Sequence, residues 1–134
     1  MRDPARPAAV TTPGRTQFES YCAACHQIDG QGVEAEAPPL VGSSWVTGPQ
    51  DRLIRILLHG VRGPIEVAGR TYNREMPGFG QVLSDVEAAS LASFVRQSFG
   101  EATTAVEAAE VSRIRAADAQ RTAPWTVAEL LAAQ

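Results

Sequence analysis

The sequence predicts an all-α domain with a helical extension at its C-terminus, and three observations carry that expectation. Ser84 and Glu87 stand as a capping-box pair in front of an apolar stripe that stops at Gly100. Leu53, Ile54, Leu57 and Leu58 share one face of a segment opened by Gly48-Pro49-Gln50-Asp51 and closed by Gly60. Strand-like alternation is confined to residues 65–72.

Composition bounds the rest. With 134 residues, 44% of them apolar, the chain suits one compact soluble domain, or a small domain with an appendage. Nothing in it is apolar for long enough to span a bilayer, and residues 1–14 lack the hydrophobic stretch of an export signal. A net charge of −3 argues against nucleic acid, and every one of the 12 basic residues is Arg. Aromatic residues make up only 6%, thin for a self-sufficient core, and two cysteines three positions apart close no long loop. Something other than side chains is expected to fill the interior.

In order, residues 1–13 are polar and broken by proline, and are expected to form a flexible arm. A helix should start near Pro13-Gly14, run past Phe18 and Cys22, and end before Asp29-Gly30. Residues 30–48 read as loop, being rich in Gly and Pro. The helix over the Leu53 face follows, then a small hairpin about Ala68-Gly69 and an irregular stretch through Met76 to Gly80. The Ser84-capped helix should bury Leu91, Phe94 and Val95. Beyond it, Thr104…Glu107 and Thr126…Glu129 are two further capping-box pairs. The first predicts a helix to about Ala119 with Val106, Val111, Ile114 and Ala117 inward; Pro124-Trp125 separates it from a last short helix. The chain thus divides into an arm (1–13), a domain (14–100) and a helical extension (101–134).

Cys22-Ala23-Ala24-Cys25-His26 is a C-x-x-C-H sequence, the attachment signature of c-type haem. Two thiols about one helical turn apart can add to the two vinyl groups of one porphyrin, and the next residue offers its imidazole to the iron. A surface helix with incidental Cys and His is the plain alternative. A redox dithiol would want a βαβ setting that this sequence lacks. Structural zinc could draw on Cys22, Cys25, His26 and His59, but adjacent Cys25-His26 makes an awkward tetrahedral chelate. One covalent haem c, with His26 as iron ligand, is the expected cofactor.

For the sixth position, Met76 is the one internal methionine and sits in a Pro-Gly loop outside any helical stripe, where core packing would not explain it. His/Met ligation is the usual electron-transfer pair, because thioether favours ferrous iron. His59 is the rival, although its place before Gly60 suits a histidine complementing a helix C-terminus.

Phe18, C-A-A-C-H, Pro38-Pro39-Leu40-Val41-Gly42, Met76-Pro77 and the Phe94 helix together resemble class I cytochrome c, over about residues 14–100. Leu57-Leu58-His59-Gly60, Gly63-Pro64-Ile65, Tyr72-Asn73 and Ser98-Phe99-Gly100-Glu101 are similar to a subgroup of bacterial monohaem domains. These accompany periplasmic quinoprotein and alcohol dehydrogenases, or are fused to respiratory enzymes. The resemblance implies three to five helices around one haem. It implies that the Pro38 carbonyl accepts from the proximal imidazole, that Leu40 packs on the porphyrin, and that Gly14 and Phe18 meet Phe94. It also offers Trp45, Arg52 and Arg55 as donors to haem propionates, and Tyr72 or Asn73 as hydrogen-bonding groups near Met76.

A six-coordinate iron has no open position, so the expected function is carriage of single electrons between redox proteins, without catalysis. The donor would be a periplasmic dehydrogenase and the acceptor a cytochrome or terminal oxidase. The alternatives are an electron-accepting or electron-donating domain of a larger dehydrogenase or oxidase, and a peroxidase or gas sensor in which Met76 dissociates. Haem attachment in bacteria occurs outside the cytoplasm, so the chain is expected in the periplasm or at the outer face of the cytoplasmic membrane, its export segment removed or carried elsewhere. Residues 48–80 hold five Arg against Asp51, Glu66 and Glu75, which suggests a positive docking rim at Arg62, Arg70 and Arg74 for an acidic partner.

Overall fold

The computed structural model describes residues 8–133, with side chains from residue 13 onward. Among the described residues the helices are α1 (Ala8–Tyr21), α2 (Ala23–His26), α3 (Ser44–Thr47), α4 (Gln50–His59), α5 (Asp85–Phe99), α6 (Ala108–Ala117) and α7 (Val127–Ala132). Four short strands lie between α4 and α5: β1 (Gly60–Val61), β2 (Ile65–Val67), β3 (Arg70–Tyr72) and β4 (Met76–Pro77). The molecule is therefore mainly helical with a sheet component; α1–α5 fall before Gly100, within the three to five helices expected there, and α6 and α7 lie in the extension. Two of the first five, α2 and α3, are four residues each, too short to show a 3.6-residue period in the sequence.

α1 begins at Ala8, ahead of the expected start at Pro13, which lies inside the helix. The earlier part of the expected arm, residues 1–7, lies outside the described residues. Gly14 explains how α1 crosses α5: a Cβ there would stand 2.2 Å from the Ser90 carbonyl oxygen and 2.6 Å from Phe94 Cβ. At this crossing Phe18, fully buried, packs its ring 5.4 Å from Phe94 and 5.2 Å from Phe99. The Ser84–Glu87 capping box forms in both directions, and Leu91, Phe94 and Val95 are buried as expected.

The hairpin β2–β3 turns on Ala68 and Gly69, both at positive φ (54° and 77°). That geometry gives a two-residue turn whose twist matches the strands. Its register, Ile65 opposite Tyr72, places Ile65, Val67 and Tyr72 on one buried face. β1 pairs antiparallel with β4, so that Val61 stands opposite Met76. A two-residue strand carries no alternation to read, and this pair was not expected.

The extension packs back on the domain. The Thr126–Glu129 box forms at α7, but Thr104 and Glu107 make no such pair. Instead the buried Ser93 hydroxyl accepts from the Val106 amide at 2.7 Å and holds that segment extended, delaying α6 to Ala108. Val106, Val111 and Ile114 are buried, whereas Ala117 is exposed. Trp125 joins Ile56, Val61, Ile65, Val67, Tyr72 and Leu130 in a second apolar cluster beside the main core.

Candidate functional site

Between the two clusters lies a cavity of about 950 Å³, including its open mouth. Its walls are apolar, with Leu53, Ile56 and Leu57 of α4 on one side and Ile65, Val67 and Tyr72 of the hairpin on another. Cys22, Cys25 and His26 border it at α2, and Met76 borders it at β4. A cavity of this size suits a single large apolar ligand. Two thiols, an imidazole and a thioether on its border are a donor set that fits a c-type haem.

The histidine is held by the loop that follows it. Gln27 (φ 68°) ends α2, and the chain turns so that the Gly32 amide donates to the His26 carbonyl at 2.9 Å. A side chain at Gly32 would strike the Ala37 and Pro38 backbone, the nearest atom at 2.4 Å. This close approach brings the Pro38 carbonyl 2.9 Å from His26 Nδ1. A carbonyl only accepts, so Nδ1 carries the proton and the Nε2 lone pair is left as the ring's ligating group. Burial lowers the His26 pKa, against the opposing pull of the Pro38 bond, and so favours the neutral ring that a metal requires. Burial likewise pushes the Cys22 thiol up to about 12, with Cys25 adding to the rise. Cys25 itself is exposed at the mouth.

Met76 reaches the same cavity through β4. Gly60, at φ 82°, ends α4 and starts β1; a Cβ on it would lie 2.2 Å from the Met76 carbonyl oxygen. Only bare backbone lets the two strands approach so closely.

Of the residues expected at the site, Cys22, Cys25, His26, Pro38, Leu40, Trp45, Tyr72 and Met76 line the cavity. Arg52 and Arg55 do not line it. Arg52 lies over the Trp45 ring, 6.0 Å from its centre. Arg55 is 2% exposed and donates to Asp118 at 3.0 Å, with Trp125 also in reach at 5.8 Å. A buried guanidinium seeks a buried carboxylate, and the extension supplies one that sequence spacing could not reveal. His59 is also turned elsewhere: its Nε2–H donates to the Arg121 carbonyl at 3.1 Å, and it lies outside the cavity lining. This removes it both as a rival sixth ligand and as a fourth zinc donor. Of the far wall Tyr72 was expected at the site, but Ile65 and Val67 were missed, although their alternation with Tyr72 was the signal for them. At the mouth Arg74 faces Glu36 at 3.6 Å, and nearby Arg70 binds Glu34 at 2.5 Å.

The family model described as cytochrome c oxidase, cbb3-type, subunit III matches residues 9–95. The chain belongs to this cytochrome c family. Cytochrome c-552 of Thermus thermophilus is 38% identical to the cytochrome over 117 residues, 81% of this chain and 78% of its own. The fructose dehydrogenase cytochrome subunit of Gluconobacter japonicus is 39% identical over 121 residues, 82% of this chain but 23% of its own. The cytochrome c subunit of the quinone alcohol dehydrogenase of Gluconacetobacter polyoxogenes is 35% identical over 109 residues, 79% of this chain and 23% of its own. The cytochrome thus spans about a quarter of the length of such dehydrogenase subunits. It is an electron-transfer protein with covalently attached haem c, and its role is electron transfer rather than catalysis. Among its described residues no helix is long and apolar enough to cross a membrane.

Proposed function

We propose that Cys22 and Cys25 would hold one haem through thioethers, with His26 and Met76 as the residues that would ligate its iron. In this role the cytochrome carries single electrons between redox proteins. The observation that carries the reading is that His26, with Nδ1 committed to Pro38, and Met76 border one apolar cavity with both thiols on its rim. The haem iron supplies one-electron chemistry when bound, cycling between ferric and ferrous forms. Pro38 fixes the tautomer and orientation of His26 and raises its basicity. Met76 offers thioether sulfur from a strand that is backbone-bonded to β1, and so needs little rearrangement between oxidation states. Ile56, Leu57, Ile65 and Val67 exclude water, which favours the less charged, reduced state. Trp45 and Tyr72 are the polar-tipped aromatics of the lining and suit the propionate edge. The domain proper is taken as residues 14–100, and the cytochrome is placed in the periplasm or at the outer face of the cytoplasmic membrane.

Met76→Ala tests the ligand set. The variant should keep its haem and bind carbon monoxide rapidly when reduced, while the parent does not. Equally fast binding by the parent would overturn the carrier assignment and favour a gas-binding protein. A second reading is an electron-accepting or electron-donating domain of a larger dehydrogenase or terminal oxidase, favoured by the match to a quarter of two dehydrogenase subunits. Copurification of a quinoprotein or flavin dehydrogenase with the native protein would support it; recovery as a free carrier would exclude it.

A further inference from the structure

The C-terminal extension holds both the segment that follows Met76 and the strand on which Met76 is paired. Downstream of Met76, Arg115 of α6 donates from Nη1 to the Gly80 carbonyl at 2.7 Å and from Nη2 to the Leu83 carbonyl, while its Nε binds Asp85 at 2.6 Å. One guanidinium thereby closes the stretch between Met76 and α5. On the other side, Trp125 forms a parallel bridge with Val61 of β1: its amide donates to the Gly60 carbonyl at 2.9 Å, and its carbonyl accepts from the Arg62 amide at 2.8 Å. β1 is the strand on which Met76 and Pro77 are paired. A third bond runs from His59, at the end of α4, to the Arg121 carbonyl. Two-residue strand pairs are marginal alone, and an added strand and a charge-assisted clamp are what such a pair lacks.

We propose that the extension is a positioning brace for Met76, with Arg115 and the Trp125 backbone as its two points of hold. The inference rests on the reading of Met76 as an iron ligand. The brace raises the cost of moving Met76 away from the iron, so it slows every exchange of that ligand. It acts through the backbone of β1 and of the segment 77–83, since neither Arg115 nor Trp125 lines the haem cavity. The same contacts explain why an extension of this kind is built with a guanidinium aimed at two carbonyls of one loop and at the first residue of the helix that follows it. A tail needed only for general packing could bury Val111 and Ile114 and leave those carbonyls to water.

The test uses the ferric holoprotein and two variants that release different contacts: Arg115→Gln, and a truncation after Ala119 that removes Trp125 and the Arg121 carbonyl. Arg113→Gln is the control. It breaks exposed pairs of α6 with Asp51 and Glu110, away from Met76. The readouts are the weak red sulfur-to-iron absorption band and the rate at which added imidazole replaces Met76. Loss of the Arg115 charge-assisted bonds in the first variant, and of the Trp125 backbone bonds and the His59–Arg121 bond in the second, should each raise that rate about tenfold or more. Arg113→Gln, having lost only exposed pairs, should stay within about twofold of the parent. If the parent shows the band and both variants take up imidazole at the parent rate, the brace is overturned while Met76 ligation stands, even should melting temperatures fall. A parent without the band overturns Met76 ligation itself, and the brace with it. One variant that does not fold leaves the other to decide, because the two release separate points of hold.

Discussion

At the scale of single residues, the site depends on places where backbone meets backbone. Gly60 is the strongest case, since it combines φ 82° with a Cβ position 2.2 Å from the Met76 carbonyl oxygen. Gly60→Ala should cost about 2–3 kcal/mol or more in chemical denaturation, from left-handed strain and the forced separation of β1 from β4. Retention of parent stability would show that the strands can part without cost. Glu129 supplies a pH dependence. Its carboxylate accepts from Arg121 and from the Thr126 amide, which pulls its pKa from 4.5 down to about 2. A carboxylate with a pKa depressed by folding stabilises the fold above its unfolded value. That contribution is lost as pH falls from 4.5 towards 2. The Tm should therefore decline over that window, and Glu129→Gln should flatten the decline while lowering the Tm at neutral pH.

At the scale of elements, the tie between α4 and the extension is the Arg55–Asp118 pair, whose side chains are 3% and 11% exposed. Removing one partner of such a buried pair leaves a desolvated charge behind. Asp118→Ala should cost about 3–5 kcal/mol by denaturation, far more than Asp51→Ala, which removes a partly exposed partner of Arg113. Equal effects would mean that the other contacts of Arg55 hold its charge without Asp118. The elements also show what was legible and why. α4 and α5 could be placed closely because their apolar faces span several turns and their ends carry glycine or a capping box. The Thr126 box was legible for the same local reason, whereas the identical pattern at Thr104 failed because the distant Ser93 captured the Val106 amide first. Local signals hold until a buried group far along the chain offers a better partner.

At the scale of the whole molecule, charge is redistributed by folding. The excess of Arg in residues 48–80 suggests a positive rim around the haem edge. In the folded chain Glu34 lies against Arg70 and Glu36 against Arg74, so the loop after His26 offsets the segment around Met76. These pairs are exposed and contribute little to stability, but they set the potential at the mouth. In the double variant Glu34→Gln/Glu36→Gln, oxidation by ferricyanide at low ionic strength should speed up severalfold, and oxidation by a cationic cobalt complex should slow. A ratio of the two rates that does not move would place electron exit away from this mouth.

The sequence by itself determined the cofactor chemistry and the main helices. Both are written in short spacings: two thiols and an imidazole within five positions, and caps three residues apart. The Pro38 bond to His26 was legible only through family resemblance, and the cavity's far wall only as an alternation without a partner. Tertiary structure alone decided that Arg55 answers to Asp118 rather than to the haem cavity. It also decided that His59 is spent on Arg121, and that the extension holds both β1 and the segment after Met76. The physical reason is common to all three. Each is a choice among partners more than 60 positions apart, or among carbonyls that look alike in sequence, and only burial in one compact body ranks them.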